Sequence, residues 1–253
     1  PDGEPTACNT RYKARQVFDK AESQQLAPWY GLEQEYIIMK NGRPLGWPDR
    51  GFPPPLGPYY CGNGADRTFG REMVDRHYDM CLEMGIKISG TNAEVTPGQW
   101  EFQVGPCEGI EAGDHLVVAR WLFNRIMEEY SVRDSCIYTI DCEPKPIKGD
   151  WNGSGLHTNF STTATRGNSG LEEILKYIEN LRATASEDVA CYGINNHERL
   201  TGQHETSSLQ EFTFGFGTRH TSIRIPNQVK KDGKGYFEDR RPAAYCDPYE
   251  VTA

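Results

Sequence analysis

Glu33 and Glu35 stand two apart in GLEQEYIIM, residues 31–39, a run otherwise rich in strand formers. Side chains alternate across a strand, so both carboxylates leave on one face. The same rule puts Gln99, Glu101 and Gln103 on one face of QWEFQVGPCEG and Trp100, Phe102 and Val104 on the other. Glu108 follows a turn expected at Gly105 and Pro106, close enough to swing to the mouth of the polar face. In GLHTNFST, His157, Asn159 and Ser161 align; in GYFEDRR, Glu238 and Arg240 do. Taken singly these signals are weak. An E-x-E on a strand is most often a solvated edge, and one His beside glycines is most often surface or satisfied core.

The combination changes the reading. Several polar sheet faces each offer one or two carboxylates, one adds a His, and the segments bearing them are otherwise aromatic and apolar. If those faces converge, Glu33, Glu35, Glu101, Glu108 and Glu238 cannot all stay ionised a few ångströms apart without cations. Oxygen ligands with a single imidazole suit Mg²⁺ or Mn²⁺ better than a thiolate-seeking metal. Arg199, Arg219, Arg224, Arg240 and Arg241 supply the opposite sign. Their planar forks suit phosphate and carboxylate. Metals plus arginines point to phosphoryl transfer from a nucleotide, although each arginine taken alone is as well explained as a salt-bridge partner of the 36 acids. Neither a GxxxxGK[ST] loop nor a complete GxGxxG fingerprint occurs, so phosphate must be held by a sheet face and metals.

The elements that must position these groups read as follows. Residues 11–26 form an amphipathic helix at the periphery. A strand over 28–39 follows, then a loop dense in Pro and Gly with several aromatics, long enough to have a function. Phe69, Met73, His77, Met80, Cys81 and Met84 recur at helical spacing before Gly85, and are read as core. Short strands return over 86–109, a strong amphipathic helix occupies 111–131, and a third helix covers 170–184. CIYTID, GLHTNFST, EFTFGFG, RHTSIRIP and GYFEDRRP read as further strands and turns. Strands exceed helices and do not alternate with them, which fits an α+β domain with a mostly antiparallel sheet.

Composition narrows the classes. The 253 residues suffice for one large core. A net charge of -9 argues against a nucleic-acid partner. The eight cysteines are scattered without metal-finger spacing, and no apolar stretch approaches a membrane span or a secretory signal, so a cytoplasmic protein with free thiols is expected.

The segments PWYGLEQEY, GPYYCGNGADR, GTNAEVTPGQWEFQVGPCEG, GDWNGSGLHTNFST, RLTGQHET, SIRIP and GYFEDRRP occur in the order and spacing of the catalytic domain of eukaryotic-type glutamine synthetase. The resemblance covers residues 27–253, with 1–26 left as a linker helix. It implies a curved, mostly antiparallel sheet backed by helices, and ligation of ammonia to glutamate with ATP through a γ-glutamyl phosphate. By that resemblance Glu35, Glu101 and Glu108 hold the tighter Mg²⁺ or Mn²⁺, and Glu33, His157 and Glu238 the second. Arg219 and Arg240 neutralise the phosphoryl group and hold glutamate, together with Arg199 and the backbone at Asn152 and Gly153. Arg224, Asn159, Ser161, Tyr236 and Phe237 contact the nucleotide, with Arg219. Glu205 is a flap acid that deprotonates ammonium, and Tyr60 lines the ammonium pocket. The family works as a homo-oligomeric ring of stacked subunits, in which an amino-terminal β-grasp domain closes the neighbour's site. Nothing in this sequence resembles that domain, so the isolated chain is expected to present half-walled, inactive sites. EEYSVRDSCIYTIDCEPKPI is longer than the family's connection and is expected to be a lengthened hairpin away from the metals, at a subunit contact. A relative acting on another amine or acid, and a non-catalytic protein of this fold, are the readings left open.

Overall fold

The computed structural model describes residues 3–253. Helices α1 (Thr10–Phe18) and α2 (Ala21–Leu26) lead into the long strand β1 (Trp29–Lys40), and β2 (Arg43–Pro44) folds back on its end. The single helix expected over 11–26 is broken, because Lys20 is extended and starts a new turn. Asn9 caps α1 by accepting from the Tyr12 N–H. Arg11 and Thr10 tie that helix to Asp114 and Asp247.

After α3 (Arg71–Glu83), the strands β3 (Ile88–Ala93) and β4 (Gln99–Glu108) form a hairpin, followed by the 24-residue helix α4 (Glu111–Asp134). Next come β5 (Tyr138–Asp141), β6 (Leu156–Ser161), α5 (Thr163–Arg166), α6 (Gly170–Ala183) and α7 (Ala185–Cys191). The chain then forms β7 (Phe214–Phe216), β8 (Ile223–Ile225), α8 (Asn227–Asp232), β9 (Phe237–Asp239) and α9 (Pro248–Thr252). Strands do not exceed helices among the described residues, because α2, α5, α7, α8 and α9 are one- or two-turn pieces too short to show a period in sequence.

One sheet runs in the order β3-β4-β1-β6-β9-β8-β7, with β2 and β5 also pairing with β1. All pairs are antiparallel except β7–β8. The fold is thus α+β with a mostly antiparallel sheet, as the order of elements implies.

The alternation in β1 and β4 sorts two faces. Leu32, Tyr36, Ile38, Trp100, Phe102 and Val104 are buried against α3 and α4, where Leu116, Phe123, Ile126 and His77 meet them. Each large side chain so buried contributes about 2 kcal/mol. Met84 is exposed rather than core, since α3 ends at Glu83 and Gly85 turns the chain at positive φ. A smaller core joins Ile174 and Ile178 of α6 to Ile223, Ile225 and Phe237.

The segment expected as a lengthened hairpin is a helix end and a strand. α4 continues to Asp134, Ser135 turns at φ 51, and β5 pairs with residues 37–40 of β1. The helical period of α4 simply runs on through the polar residues Glu128, Glu129 and Arg133.

Candidate active site

Register brings the acids together. In the β1–β4 ladder Glu35 is opposite Glu101 and Glu33 opposite Gln103; on the other side of β1, Glu33 is opposite His157, and Asn159 is opposite Glu238. Glu33, Glu35, Glu101 and His157 line one narrow cleft of about 90 Å³, walled by Tyr60, Glu205, Arg219, Arg224 and Arg240. Glu238 lies beneath it, fully buried, with its Oε1 3.4 Å from His157 Nδ1; Glu33 Oε2 approaches the same nitrogen at 3.4 Å.

The cleft contains one acid that strand parity in QWEFQV does not reach. Glu94, in the tight turn after β3, is buried and meets Glu35 and Glu101, with ligand atoms all within 4.8 Å of one another. A second group, Glu33, Glu101 and His157, is equally close, so Glu101 serves both. Asn92 donates to Glu94 Oε1 at 2.9 Å and accepts from Gln103 at 2.7 Å, which fixes the turn over the floor. Asn92, opposite Glu101 in the β3–β4 ladder, shows where the hairpin meets the cleft, but Glu94 itself lies just past the strand and is brought in by the turn.

Glu108 is not in the cleft. β4 runs straight through Gly105 and Pro106 with a bulge instead of turning, so Glu108 pairs with Trp29 at the strand's far end, roughly 20 Å along from Glu101. It is exposed and accepts from the Trp29 indole at 3.1 Å.

Burial beside so few positive charges shifts the acids of the cleft. Burial pushes Glu35 up to about 7 against the pull of Arg199, and Glu94 up to about 8, with the Glu35 charge adding to it. Glu101 is pushed well above the carboxylate range by burial and then by Glu33, Glu35 and Glu94. Burial and then Arg240 hold His157 well below its usual value, leaving a neutral ligand nitrogen. A hard divalent cation fits this donor set: carboxylate oxygens crowded closely enough to hold protons far above the usual range when no cation is bound, plus one neutral imidazole.

The arginines wall the cleft. Arg219 donates to Glu205 at 3.1 Å and to the Tyr60 hydroxyl at 3.0 Å, joining two loops. Arg240 reaches Glu238 at 2.7 Å and the Glu205 carbonyl at 3.2 Å, and Arg224 also pairs with Glu238. Arg199 is buried, and its Nη2 donates to the carbonyls of Arg240, Arg241 and Pro242 at 3.1, 2.7 and 2.9 Å. Gly153 and Gly155 let this side chain lie flat: a Cβ on Gly153 would fall 2.7 Å from Arg199 Cγ, and one on Gly155 would fall 3.0 Å from Arg199 Nη1 and from His157 Nε2. Asn152 is half-buried beside them. His204 and Glu205 both have positive φ, 52° and 61°, a strained pair for non-glycine residues at the tip of this loop.

Glu33 also borders a cavity of about 510 Å³ with Tyr30, Leu32, Val104, Asn159, Ser161 and Tyr236. Asn159 donates to Glu33 Oε1 at 2.8 Å, and Glu33 lines both this cavity and the carboxylate cleft. Phe237 is not part of it. Strand parity turns this ring, 3% exposed, into the smaller core behind the sheet, while its neighbour Tyr236 faces the cavity.

The pattern described as glutamine synthetase, catalytic domain, matches residues 7–253. The chain is 52% identical over 252 residues to a glutamine synthetase of Emericella nidulans, covering 99% of this chain and 68% of that protein. It is 52% identical over 253 residues to the Homo sapiens glutamine synthetase, covering 98% and 66%. It is 53% identical over 254 residues to a chloroplastic glutamine synthetase of Daucus carota, covering 100% and 57%. The chain therefore spans about two thirds or less of the length of these relatives.

Proposed function

Because this chain belongs to the glutamine synthetase family, whose members ligate ammonia to glutamate, we propose that its carboxylate cleft carries out that ligation with ATP and two divalent cations. The observation that supports this most directly is the two acid groups sharing Glu101, walled by three arginines and bordered at Glu33 by a cavity of nucleotide size. Glu35, Glu94 and Glu101 would hold one Mg²⁺ or Mn²⁺; Glu33, His157 and Glu238 would hold the other. Bound there, the cations supply charge neutralisation and Lewis-acid polarisation of phosphoryl oxygens.

The nucleotide base and ribose enter the 510 Å³ cavity between Tyr236 and Val104, with Asn159 and Ser161 on its wall and the phosphates toward Glu33. A glutamate γ-carboxylate oxygen attacks the γ-phosphorus and ADP leaves. Arg219, Arg224 and Arg240 offset the charge that spreads over the transferring group. Arg199, with the backbone at Asn152 and Gly153, orients glutamate. Tyr60, Glu94 and Glu205 present an anionic pocket to ammonium. Glu205 takes its proton, the ammonia nitrogen attacks the γ-carbonyl carbon, and phosphate departs. The loop bearing Glu205 excludes water from the acyl phosphate.

The same proposal places the chain in a homo-oligomeric ring in the cytoplasm. The eight cysteines are unpaired, as a reducing compartment requires. No helix among the described residues is long and apolar enough to cross a membrane. The test is calorimetry of the chain with Mn²⁺ and ADP beside an assay of glutamine formation, with Glu35→Ala as control. Cation-dependent nucleotide binding that Glu35→Ala abolishes supports the reading; binding indifferent to that substitution rejects it.

A further inference from the structure

Strand β9 presents two layers of charge. Toward the cleft stand Glu238 and Arg240, paired at 2.7 Å. Behind, Asp239 and Arg241 are 5% and 3% exposed and form a closed fork: Arg241 Nε lies 2.9 and 3.2 Å from the Asp239 carboxylate oxygens, and its Nη2 lies 2.7 Å from one of them. This rear pair is gripped by the helix behind it. Arg241 Nη2 donates to Asp188 of α7 at 3.0 Å, and the Tyr192 hydroxyl just past α7 donates to Asp239 at 2.9 Å. α7 buries no side chain completely, with Ala185, Asp188 and Val189 half-buried, so this polar contact is a large part of what holds it to the sheet.

We propose that Asp188 is a positioning residue for phosphoryl transfer: through Arg241 it holds the end of β9 so that Arg240 aims into the cleft. The inference rests on the reading of Arg240 given above. Arg240 and Arg241 are adjacent, and alternation makes their side chains opposite ends of one lever. The front of that lever is fixed by Arg199, which donates to both their carbonyls. The backbone here is also held by Asn196, which donates to the Arg241 carbonyl at 2.7 Å, and by Arg240 N–H, which donates to the Ser222 carbonyl at 2.9 Å; the Arg241 guanidinium itself is held by the Asp239 fork and Asp188, with ring faces of Tyr192 and Phe212 about 5 Å away. Truncating Asp188 to Ala removes the acceptor for Arg241 Nη2 and leaves the Asp239 fork intact, so the strand stays folded while the anchor to α7 is lost. Errors of about an ångström in a group aimed at a transition state cost far more than the same errors in a binding contact.

The test is titration of the full chain with Mg²⁺ and ADP, with and without aluminium fluoride, which occupies the position of the transferring phosphoryl group. In the unsubstituted chain aluminium fluoride tightens ADP binding, and Arg240→Lys removes most of that gain. Asp188→Ala is expected to leave ADP affinity within twofold, and the thermal midpoint nearly unchanged, while cutting the aluminium fluoride gain at least fivefold. Asp188→Asn, which keeps an acceptor oxygen, should retain part of it, and Tyr192→Phe, which reaches the fork independently, should reduce it. An unchanged gain in Asp188→Ala overturns the proposal. So does a parallel loss of ADP affinity, gain and thermal midpoint, which is what a purely structural contact would give. A chain that binds no Mg²⁺–ADP at all rejects the functional reading itself, and the positioning role with it.

Discussion

Glu101 stands directly across the β1–β4 ladder from Glu35, and Glu94 closes over both from the next turn. Like charges placed opposite one another destabilise a sheet, so this arrangement is tolerable only if a cation arrives.

Substituting the turn acid and the distant acid should therefore separate cleanly. Glu94→Ala is expected to weaken Mn²⁺ binding at least tenfold in a calorimetric titration, and Glu108→Ala to leave it within twofold. A tenfold loss in Glu108→Ala would restore the ligand set expected by resemblance.

Cation binding should also stabilise the fold. At about a hundred times its dissociation constant, a cation that binds only the folded chain adds about 2.7 kcal/mol. The thermal midpoint should rise on adding Mn²⁺, return with a chelator, and rise clearly less in Glu35→Ala, which removes a ligand of one of the two cations.

The reach of sequence differs from part to part. Glu33, Glu35, Glu101 and His157 were accessible because a two-residue period states which face a strand residue takes, whatever the strand pairs with. Glu94 lies one residue beyond β3, where the period ends, and its approach to Glu35 depends on a turn closed by the Glu94 and Gln99 backbones. Glu108 was misplaced because Gly-Pro reads as a turn, whereas here β4 absorbs it as an irregularity in pairing. Phe237 was carried along with Tyr236 although parity separates them. The break between α1 and α2 had no marker, since Lys20 is an ordinary helix former.

Arg219 joins Glu205 to Tyr60 across loops far apart in sequence. Arg219→Ala should lower kcat about a hundredfold, as loss of one donor to developing charge does, while nucleotide affinity in the cavity at Tyr236 changes little. Steady-state kinetics beside ADP titration read the two effects separately.

Behind the sheet, Arg120 of α4 donates to Gln34 Oε1 at 2.7 Å and to the carbonyls of Ala244 and Cys246 at 2.7 and 2.9 Å. Arg120→Ala strands those acceptors and should cost about 3 kcal/mol, seen as a lower urea midpoint with unchanged slope.

His77 makes stability depend on pH. It stacks on Phe123, its Nε2–H donates to the Ala119 carbonyl at 2.9 Å, and burial lowers its pKa to about 4. A lowered histidine favours the neutral form in the fold, so its contribution is complete above the unfolded value near 6.5 and is lost as pH falls toward 4. The loss should reach about 2 kcal/mol at pH 5 and about 3 kcal/mol at pH 4. Urea unfolding between pH 8 and 5 should flatten by about that amount in His77→Phe, even though the substituted chain starts less stable for want of the Ala119 bond.

The central strand β1 is paired on one side with β4, which bears Glu101, and on the other with β6, which bears His157. A one-residue slip would send Glu33 and Glu35 together into the apolar interior and bring Leu32 and Gln34 out in their place. Error in this strand is thus all or nothing for the cleft. Cation uptake is consequently a proofreading signal: molecules that capture the ion are those whose middle strand has found its partners, and the fraction doing so measures correctly folded material in any preparation.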